Sequence, residues 1–563
     1  MSWLRQRLGP PQAIANVPGP SFAYVFGWTL VMLLVVEAVT GAALAAFYAP
    51  STTDAWASVS YIQDRASAGW LIRGLHHHGA SALVIIAGIH LVQTALFGAY
   101  KKPRELTWWL GIVLLLLLLA FAVTGYVLRW DQAGYWANQV EVGITAGTPV
   151  VGAGMKKLVI GGNEYGNLTL TRFYALHVAV LPALVVTLTA LHIGLVRRHG
   201  MTPRWDRSDA ELVPRWPQQA LRDALAMAVV FAILLAYTVQ TRGADLAAPA
   251  DPSSAYDARP LWYFRWLFEL RALFGSFEGV IALAAPALVA GFLIALPLSD
   301  NGPVYDPSAR KRWLGMLAAV LLMIGALTIM SFANDSDDPE LGKRQQQAEL
   351  RASRARALAA KNGVPATGPQ DIFATAPMFR ARTLFKQRCQ GCHVDEKDRK
   401  GPLIAPGHHS RAWLKAFLKD PGGHAFWGKT KLAKTDDAMK PVDLAGEELD
   451  AVVEALYSQT GAADVVESKR DRGKALFDKA CTDCHSLDEG VAGGSGPGLG
   501  GLASRDWYTS VIGNPKAAIH LGSMSEMPRF DKDLSIVDRD ALAEYLVWLR
   551  TATQQDLDAL GPL

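Results

Sequence analysis

The stretch HHHGASALVIIAGIHLVQTALFGA, residues 76–99, places four histidines in a segment otherwise apolar enough to cross a bilayer. Ionisable side chains inside a membrane are costly and mark function. Helical geometry sorts the four. At ~100° per residue, His76 and His90 fall within ~40° of one face, whereas His77 and His78 lie ~140° and ~120° from His90. His77 and His78 therefore read as structural. A second pair, His177 and His192, occupies the apolar stretch 171–196 and closes to within ~60° on the same arithmetic. Each pair spans roughly 21–22 Å along its helix. A lone histidine on an apolar helix is usually a hydrogen-bonded core residue. Four in register on two helices predict two bis-histidine haems b, one above the other, with His76 opposite His177 and His90 opposite His192.

Glycines repeat the spacing. Gly27 and Gly41 in the first apolar stretch are 14 apart, and so are Gly111 and Gly125 in the third. A flat ring against a helix needs positions without side chains. Because glycine is common in membrane helices, the weight lies in two pairs matching the histidines. Gly27 and Gly111 are assigned to the His90/His192 level, Gly41 and Gly125 to the His76/His177 level.

Seven apolar stretches, at 22–48, 76–99, 107–128, 171–196, 219–240, 279–298 and 313–333, approach the ~20 residues needed to span. The composition is 51% hydrophobic and 19% charged, which excludes a disordered chain. A net charge of +4 over 563 residues gives no footprint for nucleic acid. Basic residues cluster at Arg5 and Arg7, KKPR (101–104), RRHGMTPRWDR (197–207) and ARKRW (309–313). All fall on one side if seven helices run from an inside N-terminus, and the odd count puts the C-terminal part outside. The first apolar run lacks a small-residue cleavage site after it, so no cleaved signal peptide is expected.

After a linker over 334–370 carrying a solvated helix, the four cysteines fall in two strings 92 residues apart: CQGCH (Cys389, Cys392, His393) and CTDCH (Cys481, Cys484, His485). This pattern attaches haem c through two thioethers, with the adjacent histidine as an axial ligand. A zinc site would need further ligands at suitable spacing, and a redox CxxC would not need the histidine. The sixth ligand is expected later in each unit. Met439 is the candidate in the first; Met524 and Met527 are candidates in the second. Met527 is preferred because Met-Pro-x-Phe resembles the ligand loop of small class I cytochromes c. His408, His409, His424 and His520 compete. Both units carry a Gly-Pro stretch after the haem string and a closing amphipathic helix (447–457 and 538–549). Covalent haem c is assembled outside the bacterial cytoplasmic membrane, the side that the charge rule gives this half.

The strings GWLIRGLHHHGAS (69–81), TGYVLRWDQAGYW (124–136), TLTRFYALH (169–177) and PLWYF (260–264) resemble cytochrome b of the quinol:cytochrome c reductases over roughly 20–333. The His177–His192 spacing looks like the chloroplast-type, split form, and RWPQQALRDALA (215–226) onward is similar to its three-helix partner subunit, here fused. The expected fold is all-α: a seven-helix transmembrane bundle binding two haems b, followed by two small helical cytochrome c domains with two covalent haems c. The domain boundaries read as 1–210, 211–333, 334–370, 371–462 and 463–563.

The resemblance implies quinol oxidation at the outer haem and quinone reduction near the inner face. One electron would go to a Rieske iron–sulfur protein, the other across the haems b, with proton translocation. Tyr263 matches the tyrosine of the family's Pro-Glu-Trp-Tyr motif, and Arg73 is implied to contact the cofactor. The motif's glutamate, an outer proton acceptor, is Leu261 here, so Glu37, Asp131 and Glu269 become candidates for that role. Arg129 and Asp131 stand where the family usually shows Pro and Gly. Val25 replaces the cysteine that would tether an extra inner haem, so that haem is not expected. No Rieske cysteine–histidine motif is present in the sequence, so a separate Rieske subunit is expected, together with quinone, membrane lipid, a downstream cytochrome c or terminal oxidase, and a homodimeric state. The alternatives are a Rieske-independent conduit from quinol to haem c without bifurcation, favoured by Leu261, and a quinone-independent haem scaffold.

Overall fold

The computed structural model describes residues 16–146, 152–207, 212–254, 256–373, 376–394, 399–436 and 438–559. The chain forms two compact units that divide between Gln370 and Asp371.

The first unit is helical apart from a short antiparallel pairing of Asn16–Pro18 with Leu212–Pro214. Its helices are α1 (Phe26–Ala45), α2 (Ala55–Asp64), α3 (Gly69–Leu96), α4 (Glu105–Val127), α5 (Gln132–Ala146), α6 (Gly152–Ile160), α7 (Asn167–Ala175), α8 (Leu181–His199), α9 (Gln218–Gln240), α10 (Arg265–Phe274), α11 (Glu278–Ser299), α12 (Lys311–Ser336) and α13 (Pro339–Asn362). Seven spans among the described residues are long and apolar enough to cross a membrane.

Two departures from the sequence reading bear on the site. Helix α3 starts at Gly69, seven residues before His76, so the histidine triplet lies two turns inside the helix. The cause is a tight α2–α3 turn: Ala68 has a positive φ, and a Cβ on Gly69 would stand 2.0 Å from the Ile62 carbonyl oxygen. Between α7 and α8 the chain makes a π turn over Leu176–Val180, and Pro182 follows. A π turn takes up one extra residue without ending the helix, and Pro182 supplies no N–H to the ladder at this junction. The fifteen-residue spacing of His177 and His192 therefore does not carry the ~60° error that an unbroken helix would impose.

The linker helix is less solvated than its composition suggests. Leu341, Ala352 and Ala355 on α13 are buried, α13 packs on α2, and Arg356 pairs with Asp64. Elsewhere in this unit Asp300 is buried and accepts from Lys101 Nζ (2.7 Å) and Arg310 Nε (2.8 Å). Such pairs are tolerated in a low-dielectric interior only when each partner's hydrogen bonds are met.

The second unit contains α14 (Pro377–Arg388), α15 (Arg411–Lys419), α16 (Gly446–Ser458), α17 (Glu467–Ala480), α18 (Arg505–Gly513) and α19 (Ile536–Leu549). The two haem-attachment strings follow α14 and α17. Helix α16 packs on α17, and α14 packs on α19. The helix closing each half thus lies against the helix opening the other, and one apolar core, including Phe385, Leu449, Phe477 and Tyr545, serves both halves. The α16–α17 crossing is close: a Cβ on Gly473 would lie 1.8 Å from the Ala451 carbonyl oxygen. Overpacking of a well-filled core costs about 1–3 kcal/mol, and backbone cannot yield as a flexible side chain does. Gly473→Val should therefore lower the thermal midpoint of the second unit, followed through c-type haem absorption in the purified protein. An unchanged midpoint would show that the crossing is not tight.

Candidate functional site

The four membrane histidines form two levels. His76 on α3 and His177 in the π turn face each other with ring centroids 6.2 Å apart and planes at 77°. That separation leaves room for one metal ion between two nitrogens at bonds of ~2 Å. The outward nitrogens are engaged: Thr40 Oγ1 lies 3.1 Å and Glu37 Oε2 2.9 Å from His76 Nδ1, and Thr124 Oγ1 lies 3.0 Å from His177 Nδ1. Metal-binding histidines are oriented in this way, the second nitrogen held so that the first points at the metal. Each ring also sits in a glycine gap. A Cβ on Gly41 would be 3.0 Å from His76 Cε1, and one on Gly125 would be 2.7 Å from His177 Cε1.

At the other level, His90 and His192 line a cavity of about 370 Å³ together with Gly27, Gly111 and the cations Arg104, Arg197 and Arg215. A Cβ on Gly111 would approach His192 Cε1 to 3.3 Å, whereas Gly27 faces open space. Three of the four glycines thus admit an imidazole, while Gly27 leaves a face of the cavity clear for a ring. Residues and space fit a porphyrin at this level, with the arginines suited to carboxylate side groups, and the facing imidazoles of His76 and His177 offer the same pair of ligands at the other.

In the second unit His393 Nδ1 lies 3.0 Å from the Pro402 carbonyl oxygen and His485 Nδ1 2.9 Å from that of Pro497. This explains the shared Gly-Pro stretch. Proline offers an acceptor and no competing donor, and a Cβ on Gly401 or Gly496 would press on the histidine ring at 2.7 or 2.5 Å. The imidazole is thereby fixed with Nε2 available. Cys389, Cys392, Cys481 and Cys484 form no disulfide with one another. Met439 and Met527 pack partly buried against the common core. Of the competing histidines, His409 bonds Tyr508 (2.6 Å), His424 Nδ1 meets Arg399 (3.0 Å) and His520 bonds Ser510 (2.9 Å); His408 is buried beside His409.

The residues predicted for the quinol region divide. Tyr263 lies in the 262–264 turn, edge-on to Trp262 and Phe264. Asp131 is 0% exposed and its oxygens are committed: Oδ1 accepts from Gly134 N–H (2.8 Å), Oδ2 from Ala247 N–H (2.9 Å), and Arg129 pairs with it at 2.7 Å. These bonds join the start of α5 to the 244–250 segment. Arg73 donates to Gln63 Oε1 (2.6 Å) and to the carbonyls of Ala244 (2.7 Å) and Asp245 (2.5 Å), so it clamps the same segment. Glu37 reaches across to α3, where Gly79 gives it space: a Cβ there would be 2.1 Å from Glu37 Oε1. Its carboxylate works on His76. Glu269 is buried and accepts from Asn334 (2.7 Å), tying α10 to α12.

Two acidic residues escaped the sequence reading. Asp245 pairs with Arg129 (3.4 Å) and lies 3.8 Å from His77 Nε2. Glu141, half-buried on α5, receives a long hydrogen bond from Asn138 Nδ2 (3.4 Å). Burial pushes its carboxyl up to about 7. It is the sole acidic residue between Asp131 and Glu164, a signal that could have drawn attention to it.

A helical membrane bundle with paired histidines at two depths is the architecture of a b-type cytochrome. The family profile described as cytochrome b/b6/petB matches residues 16–200 and that described as cytochrome b(C-terminal)/b6/petD matches 249–340. The profile described as cytochrome C oxidase, cbb3-type, subunit III matches 468–546. Cytochrome b6 of Prochlorococcus marinus (strain MIT 9303) is 40% identical over 207 residues, 36% of this chain and 94% of that protein. Cytochrome b6 of Rippkaea orientalis (strain PCC 8801 / RF-1) is 41% identical over 185 residues, 33% of this chain and 83% of that one. A solved structure titled hyperthermophilic respiratory Complex III superposes with a TM-score of 0.51 at 25% identity, covering 64% of this chain and 94% of its own. The chain belongs to the cytochrome b/b6 family. It is an integral membrane oxidoreductase subunit of the quinol:cytochrome c reductase type with a c-type part.

Gly125→Leu should displace His177 and remove one low-spin b-type signal from the purified protein, measured by EPR. Gly88→Leu, where a Cβ meets nothing within 4 Å, should leave both. Two intact signals in the Gly125 variant would contradict the packing described.

Proposed function

We propose that the protein is the cytochrome b/c subunit of a proton-translocating quinol:cytochrome c oxidoreductase holding two haems b and two haems c. His76 with His177 and His90 with His192 would ligate the haems b. His393 with Met439 and His485 with Met527 would ligate the haems c, bound through Cys389, Cys392, Cys481 and Cys484. The haems supply one-electron redox steps and a conducting path. The observation that carries the reading is the His76–His177 pair, two rings 6.2 Å apart with each Nδ1 held by a neighbour. Buried polar groups are kept in a bilayer only when satisfied, and here each Nδ1 is already engaged, which leaves Nε2 as the nitrogen for a ligand bond.

The chain's own residues then have distinct tasks. Thr40, Glu37 and Thr124 orient the outer imidazoles. Glu37, 2.9 Å from His76 Nδ1, holds that ring from behind. Arg73, Arg129 and Asp131 brace the 244–250 segment beside the quinol region, and the turn carrying Tyr263 forms its other side. Arg104, Arg197 and Arg215 suit the inner haem's carboxylates. The basic clusters put the N-terminus inside and the c-type part outside a bacterial cytoplasmic membrane. Quinol, quinone, lipid, a separate Rieske subunit, a downstream cytochrome c or oxidase and a second copy of this chain complete the assembly.

Leu261, together with the commitment of Asp131 to structure, favours as second reading a conduit that feeds quinol electrons to the haems c without a Rieske partner. Co-purification separates the two. Complex isolated from native membranes under mild detergent should show the EPR signal of a Rieske centre in stoichiometric amount. Absence of that signal, with quinol still reducing the haems c, would establish the conduit instead.

A further inference from the structure

The candidate sixth ligand of the second haem c sits in a stretch with little backbone support. Before it, Ser525 N–H donates to the Gly522 carbonyl oxygen (3.3 Å); after it, Phe530 N–H donates to that of Ile512 (3.3 Å). Among the described residues, no backbone–backbone hydrogen bond joins residues 526–529, Met527 included. Met527 packs against the common apolar core, but a thioether is only a weak hydrogen-bond acceptor. Side chains are what tie this stretch to the rest of the fold.

Glu526, the residue before Met527, supplies such a tie. Its Oε2 accepts the Lys431 N–H (3.0 Å), and its Oε1 lies 3.4 Å from Lys431 Nζ. Lys431 belongs to the other half, directly before the 3-10 turn Leu432–Lys434 on the way to Met439. An N–H at the start of a helical turn has no partner within that turn, so this one is open to a carboxylate. The two contacts differ in weight. The Lys431 side chain is 85% exposed, and exposed ion pairs contribute little. The bond from the N–H is charge-assisted and starts from backbone, which does not swing away. Met524, the other methionine considered for this ligand, ends the Gly522–Met524 turn and lines a surface cleft with Lys431, Leu432 and Glu526, whereas Met527 lies against the core.

We infer that Glu526 is a positioning residue for Met527: its carboxylate, anchored on the backbone of the other half, holds the ligand loop so that the sulfur stays on iron. The assignment rests on the reading of Met527 as a haem c ligand above. A methionine ligand raises the potential of a haem c. A loop that lets the sulfur drift therefore shifts that haem toward its ferric form and opens the iron to added ligands.

The test uses the full chain purified in mild detergent. Three quantities are read: the weak red charge-transfer band of ferric haem c with a methionine ligand, the ferric-to-ferrous ratio of each haem c at a fixed solution potential, and the rate of carbon monoxide binding to the reduced haems c. Met527→Leu calibrates the second haem's share of each. Glu526→Ala should remove at least half of that share of the band, raise the ferric-to-ferrous ratio of one haem c at least threefold and speed carbon monoxide binding at least tenfold. Glu526→Gln keeps an oxygen for the Lys431 N–H, and Lys431→Ala keeps the N–H, so both should retain most of the band. A Glu526→Ala protein within twofold of the parent in ratio and binding rate, with its band intact, overturns the assignment. So does a loss of equal size in all three variants, which marks general packing. If Met527→Leu itself leaves the band and carbon monoxide binding unchanged, the ligand reading falls and the assignment with it; if Met527→Leu acts and Glu526→Ala is silent, the assignment alone falls.

Discussion

A neutral imidazole within a bilayer must satisfy two nitrogens, one donor and one acceptor, and water is not at hand to do it. The outer histidine pair meets this demand asymmetrically. Hydroxyl and carboxylate groups on α1 and α4 take the Nδ1 side of each ring. The opposite nitrogens are the ones left for a ligand bond. That division fixes which atoms can hold iron, and most of the local design serves it. Gly41 and Gly125 exist where rings approach helix backbones, Gly79 admits the Glu37 carboxylate, and the π turn brings His177 onto the face opposite His76. The c-type unit solves the same problem with a different acceptor, the prolyl carbonyl after each haem string.

Much of this was legible in the residues. The His76–His90 spacing, the matching glycines and the two CxxCH strings are local patterns with few physical readings. The His177–His192 spacing was legible only in part, because periodicity assumes an unbroken helix; Pro182 was the trace of the π turn that absorbs the extra residue. The start of α3 was set by a backbone collision at Gly69 that hydropathy does not register. The docking of α13 rests on Leu341, Ala352 and Ala355, three residues diluted among charges.

The least legible features are long-range. The two c-type halves have similar composition, and nothing local says that α14 should pair with α19 or α16 with α17. Only the close fit at Gly473 hints that an opening helix meets a closing one. The reassignment of the acids has the same origin. Asp131 looks available in the sequence, but the 244–250 segment, more than a hundred residues on, occupies one of its oxygens.

Iron held by the histidine pairs is what would make the bundle a conducting path through the membrane. The most direct measurement is EPR and pyridine haemochrome analysis of a His192→Ala variant purified in the same detergent as the parent. Loss of one low-spin b-type signal, with the other b signal and both c-type spectra preserved, is the result predicted. Retention of both b-type signals would contradict the ligand set and with it the conducting path through the membrane.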